Sequence, residues 1–315
     1  MPLDRIFTAG SLAKMYVEVA EWLGKQTFDM RKTTELESYT KKPQPFSILV
    51  PFTGFSRMAS AMAGHDVTVE TCDYQRLSAC IVNGIFKADT IKTNVDKPRF
   101  HKGKVFTGEL FRGIGNQPDE YSAGFIDWVF ENGTDVDKAC LAMSIPGQTM
   151  RGWMGKWTGD FDGLYAKFES TRRAAADFVG MPGAWFHYEA DFFKLLNTVP
   201  KTVKSHYDVL VVDPPRLSGP TGRDSYSTGA WERLNRVMGG HAKIIPWNQR
   251  NYLPYLRQVL DISSDYTLFT WQEGFPRTED IKKVVCSYGE LQDEQVWEGY
   301  NKVIYGWCIK RARSW

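Results

Sequence analysis

The chain has 315 residues, 43% hydrophobic and 24% charged, a globular composition with enough core for one large domain or two modest ones. Its formal net charge is only +2, so the field of the whole molecule is weak and any polyanionic partner must be held by local patches. The five cysteines (Cys72, Cys80, Cys140, Cys286 and Cys308) are scattered, odd in number and without a CxxC pair, which argues against a disulfide frame or a zinc site and for reduced thiols in a cytosolic protein.

The five histidines are dispersed with no HExxH, so no metal is expected. No apolar run reaches about 18 residues, which predicts no membrane span, and the N-terminus lacks a basic-then-apolar signal. Aromatics reach 14%, a supply that suits base stacking, although most of these rings are expected in the core.

In chain order, Leu12, Tyr16, Val17, Val19, Ala20 and Leu23 give one apolar helical face, with Ser11 as N-cap and Gly24 as stop. Residues 25–45 are polar and end in Lys41-Lys42-Pro43-Gln44-Pro45, a loop or short helix. Ser47-Ile48-Leu49-Val50 is a short strand running into Pro51-Phe52-Thr53-Gly54-Phe55-Ser56, and a helical pattern follows from Arg57 to Ala63. Val67 to Cys72 is a second strand ending at Asp73, and Leu77 to Phe86 is helical again. Strand, Gly loop, helix, strand and acid make a unit of the kind that binds a nucleoside. The glycine lets backbone approach the ligand, and the acid can grip ribose hydroxyls. Taken alone, Asp73 would be a surface turn acid.

Residues 87–180 break the alternation. Lys87 to Lys104 holds six basic residues against Asp89 and Asp96, which fits a solvated loop as well as a phosphate-contacting surface. Phe125 to Phe130 and Val136 to Met143 have helical spacing. Met150 to Gly163 carries four glycines and predicts a hairpin or irregular loop. Its Arg151, Lys156 and Trp157 interleave cation and ring, which suits grasping a polyanion; equally, Trp153 and Trp157 would anchor the loop to the core. Thr171 to Val179 is helical and carries Arg172 and Arg173 side by side.

Ala184 to Tyr188 is a strand, and Glu189-Ala190-Asp191-Phe192-Phe193 opens a helix through Leu196, where Asp191 alone would be an N-cap. Val209 to Val212 is a buried strand stopped by Asp213-Pro214-Pro215-Arg216, since proline cannot donate to a ladder. Asp213 is thereby delivered to the carboxyl edge of a sheet, where open α/β folds bind ligands. A Gly/Ser/Thr-rich flap follows from Leu217 to Gly229, then an extended piece at Ala242 to Ile245. Asn251 to Ile262 is a helix, Tyr266 to Trp271 a strand, and Val284-Val285-Cys286 with Val303 to Ile309 a closing hairpin pair. Trp231, Trp247 and Trp271 are expected in the core.

From about residue 47 onward, these pieces in this order resemble the alpha class of DNA adenine-N6 methyltransferases, the family of Dam. Leu49-Val50-Pro51-Phe52-Thr53-Gly54 resembles its Pro-Phe-x-Gly-x-Gly methyl-donor motif, with Ser56 where the last glycine would stand. Cys72-Asp73 resembles the acid that takes the donor ribose, and Asp191-Phe192 the motif that holds the donor adenine. Asp213-Pro214-Pro215 is similar to the catalytic Asp-Pro-Pro-Tyr, with Arg216 in place of the ring that stacks on the extruded adenine. Gly159-Asp160-Phe161-Asp162 is similar to a Gly-x-Phe-Asn turn of the DNA-binding part, and the N-terminal Gly-Gly-Lys signature is only echoed by Gly10-Ser11 and Lys14.

The resemblance implies an α/β, Rossmann-like S-adenosylmethionine-dependent methyltransferase sheet formed by residues 1–94 and 181–315, with an inserted target-recognition region at 95–180. It implies S-adenosylmethionine held by Pro51, Phe52, Thr53, Gly54, Asp73, Asp191 and Phe192, and catalysis by Asp213, Pro214, Pro215 and Arg216. Double-stranded DNA would be contacted by Arg151, Lys156, Trp157, Arg172 and Arg173. The setting would be a bacterial or phage-infected cytoplasm, in DNA modification or restriction–modification; oligomeric state is left open. Two other readings remain. One is a catalytically degenerate DNA- or protein-binding relative on the same scaffold, and the other an enzyme acting on a different base.

Overall fold

The structure, a computed structural model, describes residues 13–37, 46–54, 57–91, 95, 105–150, 156–198, 206–217, 229–240, 247–299 and 302–312. Its centre is a set of short buried strands. β1 (Ser47–Val50) and β2 (Thr68–Asp73) are buried along their whole length, and β4 (Tyr207–Val212) along nearly all of it. Such strands need cover on both faces, which parallel crossovers supply. β3 (Ala184–Glu189) and β5 (Ser264–Gln272) extend the parallel sheet, and β7 (Lys302–Arg311) runs against β5 and against β6 (Gly289–Gly299).

The resulting order is β3-β2-β1-β4-β5-β7-β6, a seven-stranded sheet with a single reversed strand. This is the α/β sheet of the S-adenosylmethionine methyltransferase fold, as the sequence predicts. From β1 the chain winds outward through β2 to β3, then returns to lay β4 on the other side of β1. The β1/β4 boundary is therefore the topological switch point, where open α/β sheets form a crevice at their carboxyl ends. The loops that meet there are 51–54 and 213–216.

Period-two alternation divides the sheet's side chains between two cores. Ile48, Val50, Val69, Val209, Val211 and Leu268 belong to one. It also holds α1 (Ala13–Glu37), α2 (Arg57–Ser60) and α3 (Arg76–Ile81), the last continuing as a π turn through Phe86. Leu49, Leu210, Val212, Phe269, Trp271 and Trp307 face the other core.

Between α3 and β3 the chain inserts α4 (Val105–Leu110), α5 (Glu120–Asn132), α6 (Asp135–Ser144) and α7 (Phe161–Ala176). Asp119 caps α5, Thr134 and Asp137 form a capping box on α6, and Asp160 caps α7. Phe125, Leu141, Leu164 and Phe168 of these helices lie in the same core as Ile48, so the insertion is packed onto the sheet. Arg76 braces it, reaching Glu189 of β3 at 2.8 Å and Asp135 of α6 at 3.3 Å. α8 (Phe192–Thr198), α9 (Gly229–Val237), α10 (Tyr252–Leu260) and α11 (Thr278–Cys286) complete the described α-helices.

Three expectations are corrected. Gly24 does not stop α1, which runs on to Glu37; a Cβ at Gly24 would lie 3.1 Å from the Ala61 carbonyl oxygen, so this glycine serves close packing instead. Val284-Val285-Cys286 is the last turn of α11, because Ile281, Val284 and Val285 share its buried face at helical spacing. The hairpin partner of β7 is β6, whose polar GELQDEQVWEG carries no buried-strand pattern and is bulged between Leu291 and Asp293. The piece expected at 242–245 and flap positions 218–228 lie outside the described residues. No helix among the described residues is long and apolar enough to cross a membrane.

Candidate active site

β1 ends at Val50, and after Pro51 the chain turns through Gly54, whose φ of 51° lies in the left-handed region that favours glycine. Thr53 fastens the turn to β2: its backbone N–H and its hydroxyl both donate to the Cys72 carbonyl, at 3.2 and 3.0 Å. The Gly54 N–H then donates to Asp73 Oδ2 at 2.6 Å, the Gln75 N–H to Oδ1 at 2.8 Å, and the Ser78 hydroxyl to the Gly54 carbonyl at 2.5 Å. Asp73 thus ties the loop after β1 to the start of α3. Burial is the largest influence on its carboxyl and, against the amide hydrogen bonds, lifts its pKa to about 6, with Asp191 adding a smaller push in the same direction.

Asp191 sits at the end of β3 and accepts from the Phe193 N–H at 3.0 Å, so it caps α8. The Ala190 N–H donates to the Asp73 carbonyl at 3.0 Å, which brings the two acids onto one edge. Phe192 is 4% exposed and meets Phe52 edge-on at 5.7 Å, and Phe52 meets Trp247 at 5.4 Å. Trp247 packs on Tyr252 at 4.8 Å, and the Tyr252 hydroxyl donates to the Pro215 carbonyl at 2.9 Å. An aromatic wall therefore runs from the loop after β1 to the loop after β4.

Asp213 leaves β4 on the side that Val211 faces, and the Thr270 hydroxyl of β5 donates to its Oδ1 at 2.8 Å. Pro214 and Pro215 are buried. Arg216 donates through Nη1 to Gln272 Oε1 and through Nη2 to the Tyr16 hydroxyl of α1, the latter at 2.8 Å. Leu217 forms an antiparallel bridge with Phe275. The Asp-Pro-Pro-Arg segment is thus held from β5, α10 and α1 together.

Sequence reasoning missed Thr270, Gln272, Tyr252 and Tyr16. One signal was present: Thr270 and Gln272 are polar residues at alternate positions of a strand in which both are buried, 1% and 5% exposed. Tyr16 and Tyr252 were legible only as members of helices.

The proposed DNA contacts separate. Lys156 and Arg173 are exposed. Trp157 is 5% exposed and packs edge-on to Phe111 at 5.7 Å, so it anchors its loop to the core and has no open face for a base. Arg172 is held by Glu169 at 2.9 Å and donates to the Val95 carbonyl at 3.2 Å, so its guanidinium braces the insertion. Arg151 lies outside the described residues. Trp157→Ala is expected to cost about 3–5 kcal/mol of folding stability, the range for a buried tryptophan. Denaturant unfolding checks this, and a cost under about 1 kcal/mol, the range of surface substitutions, would return Trp157 to the surface.

The sequence matches no protein-family model and no curated protein. Among solved structures, the chain is similar to the SAM-dependent methyltransferase from Agrobacterium tumefaciens, with 12% identity and a TM-score of 0.39 over 92% of this chain and 61% of that one. The chain thus spans less than two thirds of the length of that protein. The strand order, with its switch point between β1 and β4, defines a protein of the methyltransferase fold.

Proposed function

We propose that this chain is an S-adenosylmethionine-dependent methyltransferase that acts on the exocyclic amino group of adenine in DNA. The observation that carries the reading is Asp213-Pro214-Pro215 at the carboxyl end of β4, across the switch point from the Gly54 loop. The donor cradle fits an adenosyl group: a tight left-handed glycine, a buried acid at the end of β2, and Phe192 in an aromatic wall. Pro51, Phe52, Thr53, Gly54, Asp73, Asp191 and Phe192 would hold the donor, whose sulfonium supplies an already activated methyl group.

The adenine amino nitrogen is a poor nucleophile because its lone pair is spread into the ring. Asp213 and the Pro214 carbonyl would each accept one amino hydrogen and localise that pair on nitrogen. Proline's fixed φ aims the carbonyl in advance, and Thr270 fixes the carboxylate. Asp213 would take the proton that the amino group gives up on methylation and pass it to solvent. A duplex hides this amino group, so the base must be turned out of the stack.

Incubation with donor and varied DNA is expected to yield N6-methyladenine in digested nucleosides. Folded, donor-binding protein that leaves every DNA unmodified would overturn the reading. One observation favours the degenerate binding protein instead: both Asp73 oxygens already receive backbone amides. Calorimetry with S-adenosylmethionine decides between the two, since absence of donor binding leaves the binding protein ahead.

A further inference from the structure

We infer that the free edge of β6 docks an extended, basic segment of a partner protein, which joins the sheet as a further strand beside residues 293–299. The inference does not depend on the methyltransferase reading.

β6 is the last strand of the order β3-β2-β1-β4-β5-β7-β6, so one side of it pairs with β7 and the other with no strand among the described residues. An edge of that kind presents backbone N–H and C=O groups with which another chain can pair. Proteins close such edges with proline, lysine, bulges or covering elements. The bulge of β6 lies between Leu291 and Asp293 and leaves Asp293 to Gly299 in regular register. No proline or lysine stands in that stretch.

The two faces of the stretch differ. Asp293 and Trp297 meet Trp22 of α1, and a Cβ on Gly299 would meet Met15 at 3.2 Å, so α1 covers one face. Glu294, Val296 and Glu298 alternate onto the other face, where Lys282 of α11 holds Glu294 at 2.6 Å. Val296 is left 47% exposed beside the half-buried Tyr305 of β7. Burial, and then Glu273, Glu279 and Glu298, raise the pKa of the Tyr305 hydroxyl, which sets these three acids around the apolar centre. Among the described residues none of the three has an ion-pair partner.

Charge decides which chain this edge admits. A second copy paired antiparallel about Val296 would set Glu294 of each chain opposite Glu298 of the other, and like charges directly opposite are destabilising. The same acids repel nucleic acid. A segment with one apolar residue, and lysine or arginine two positions away on each side, fits instead. Its apolar side chain covers Val296, and its cations fall opposite Glu294 and Glu298. β6 stands three strands from β4, about 14 Å at the usual strand spacing, so the docked segment leaves the Asp213 edge clear.

The test is binding of the labelled peptide Thr-Lys-Thr-Val-Thr-Lys-Thr to the full chain by fluorescence anisotropy, with amide hydrogen exchange to locate it. The peptide is expected to bind and to slow exchange at residues 293–299. Its counterpart with glutamate for lysine is expected not to bind, and a version with N-methylated backbone amides is expected to lose the binding. Val296→Lys and Glu298→Lys, at exposed positions and with folding checked by denaturant unfolding, should each weaken it by about fivefold or more, the upper scale for one cross-strand pair. Equal binding of the N-methylated peptide would show attraction by charge without strand pairing and overturns the inference. Absence of binding, or binding that both variants leave unchanged, overturns it too. A concentration-dependent dimer of the peptide-free chain that Val296→Lys dissociates gives the edge to a second copy and likewise overturns it.

Discussion

Asp213→Ala is expected to slow methyl transfer by about 10²–10³-fold, the usual loss when one preorganised group facing developing charge is removed, with donor affinity unchanged. In the proposed mechanism Asp213 would meet the reacting nitrogen and not the donor, so its loss would fall in the chemical step. Its carboxylate is held by the Thr270 hydroxyl at 2.8 Å. Thr270→Val should therefore reproduce a fraction of the Asp213 loss with the acid still in place. Single-turnover transfer of labelled methyl groups, beside donor calorimetry, measures both. An Asp213→Ala protein that transfers methyl groups at the parent rate would remove Asp213 from the mechanism, whatever the fold.

Donor affinity is expected to be highest above about pH 6 and to fall as pH drops through that value, because Asp73 becomes protonated there. The direction for folding is the opposite. The folded carboxyl binds its proton more tightly than the unfolded one, from a model value of 3.8 up to about 6. Burial of Asp73 therefore stabilises the native state least above pH 6, and stability gains as pH falls from about 6 toward about 4. The site thus maintains an ionised, desolvated acid at neutral pH, and a ribose hydroxyl donating to it would offset part of that cost. Asp73→Asn should abolish both pH dependences and reduce donor affinity by about 10- to 100-fold at neutral pH, the scale of a hydrogen bond to a charged group. Calorimetry and denaturant unfolding from about pH 5 to about pH 8 check the two arms. Donor binding that stays level through pH 6 in the parent chain would separate Asp73 from the donor.

Asp73 and Asp213 were both legible in the chain because each stands at the end of a short strand pattern, and where a strand stops is set by its immediate neighbours. Asp213 is followed by two prolines that cannot continue a ladder, and Asp73 follows a run that is buried throughout. The same local logic places Gly54, where the backbone takes φ of 51°. Local logic was insufficient at Trp157 and Arg172. A ring among glycines and cations reads alike whether it lies outside or is packed on Phe111, and the Glu169 that holds Arg172 gives no sign in sequence that the pair is half-buried.

The sequence by itself determined the parallel-strand core, the acids and glycine at its carboxyl edge, and the α/β class, since strand periodicity, proline stops and left-handed turns are written within a few residues. Only the tertiary structure decided what holds the Asp-Pro-Pro-Arg segment. Tyr252 reaches Pro215 across 37 residues, Gln272 reaches Arg216 across 56, Thr270 reaches Asp213 across 57, and Tyr16 reaches Arg216 across 200. Those pairings depend on which strand lies beside β4 and which helix covers that face of the sheet. Both are set by packing of the whole chain, so no window of sequence around Arg216 contains the residues that orient it.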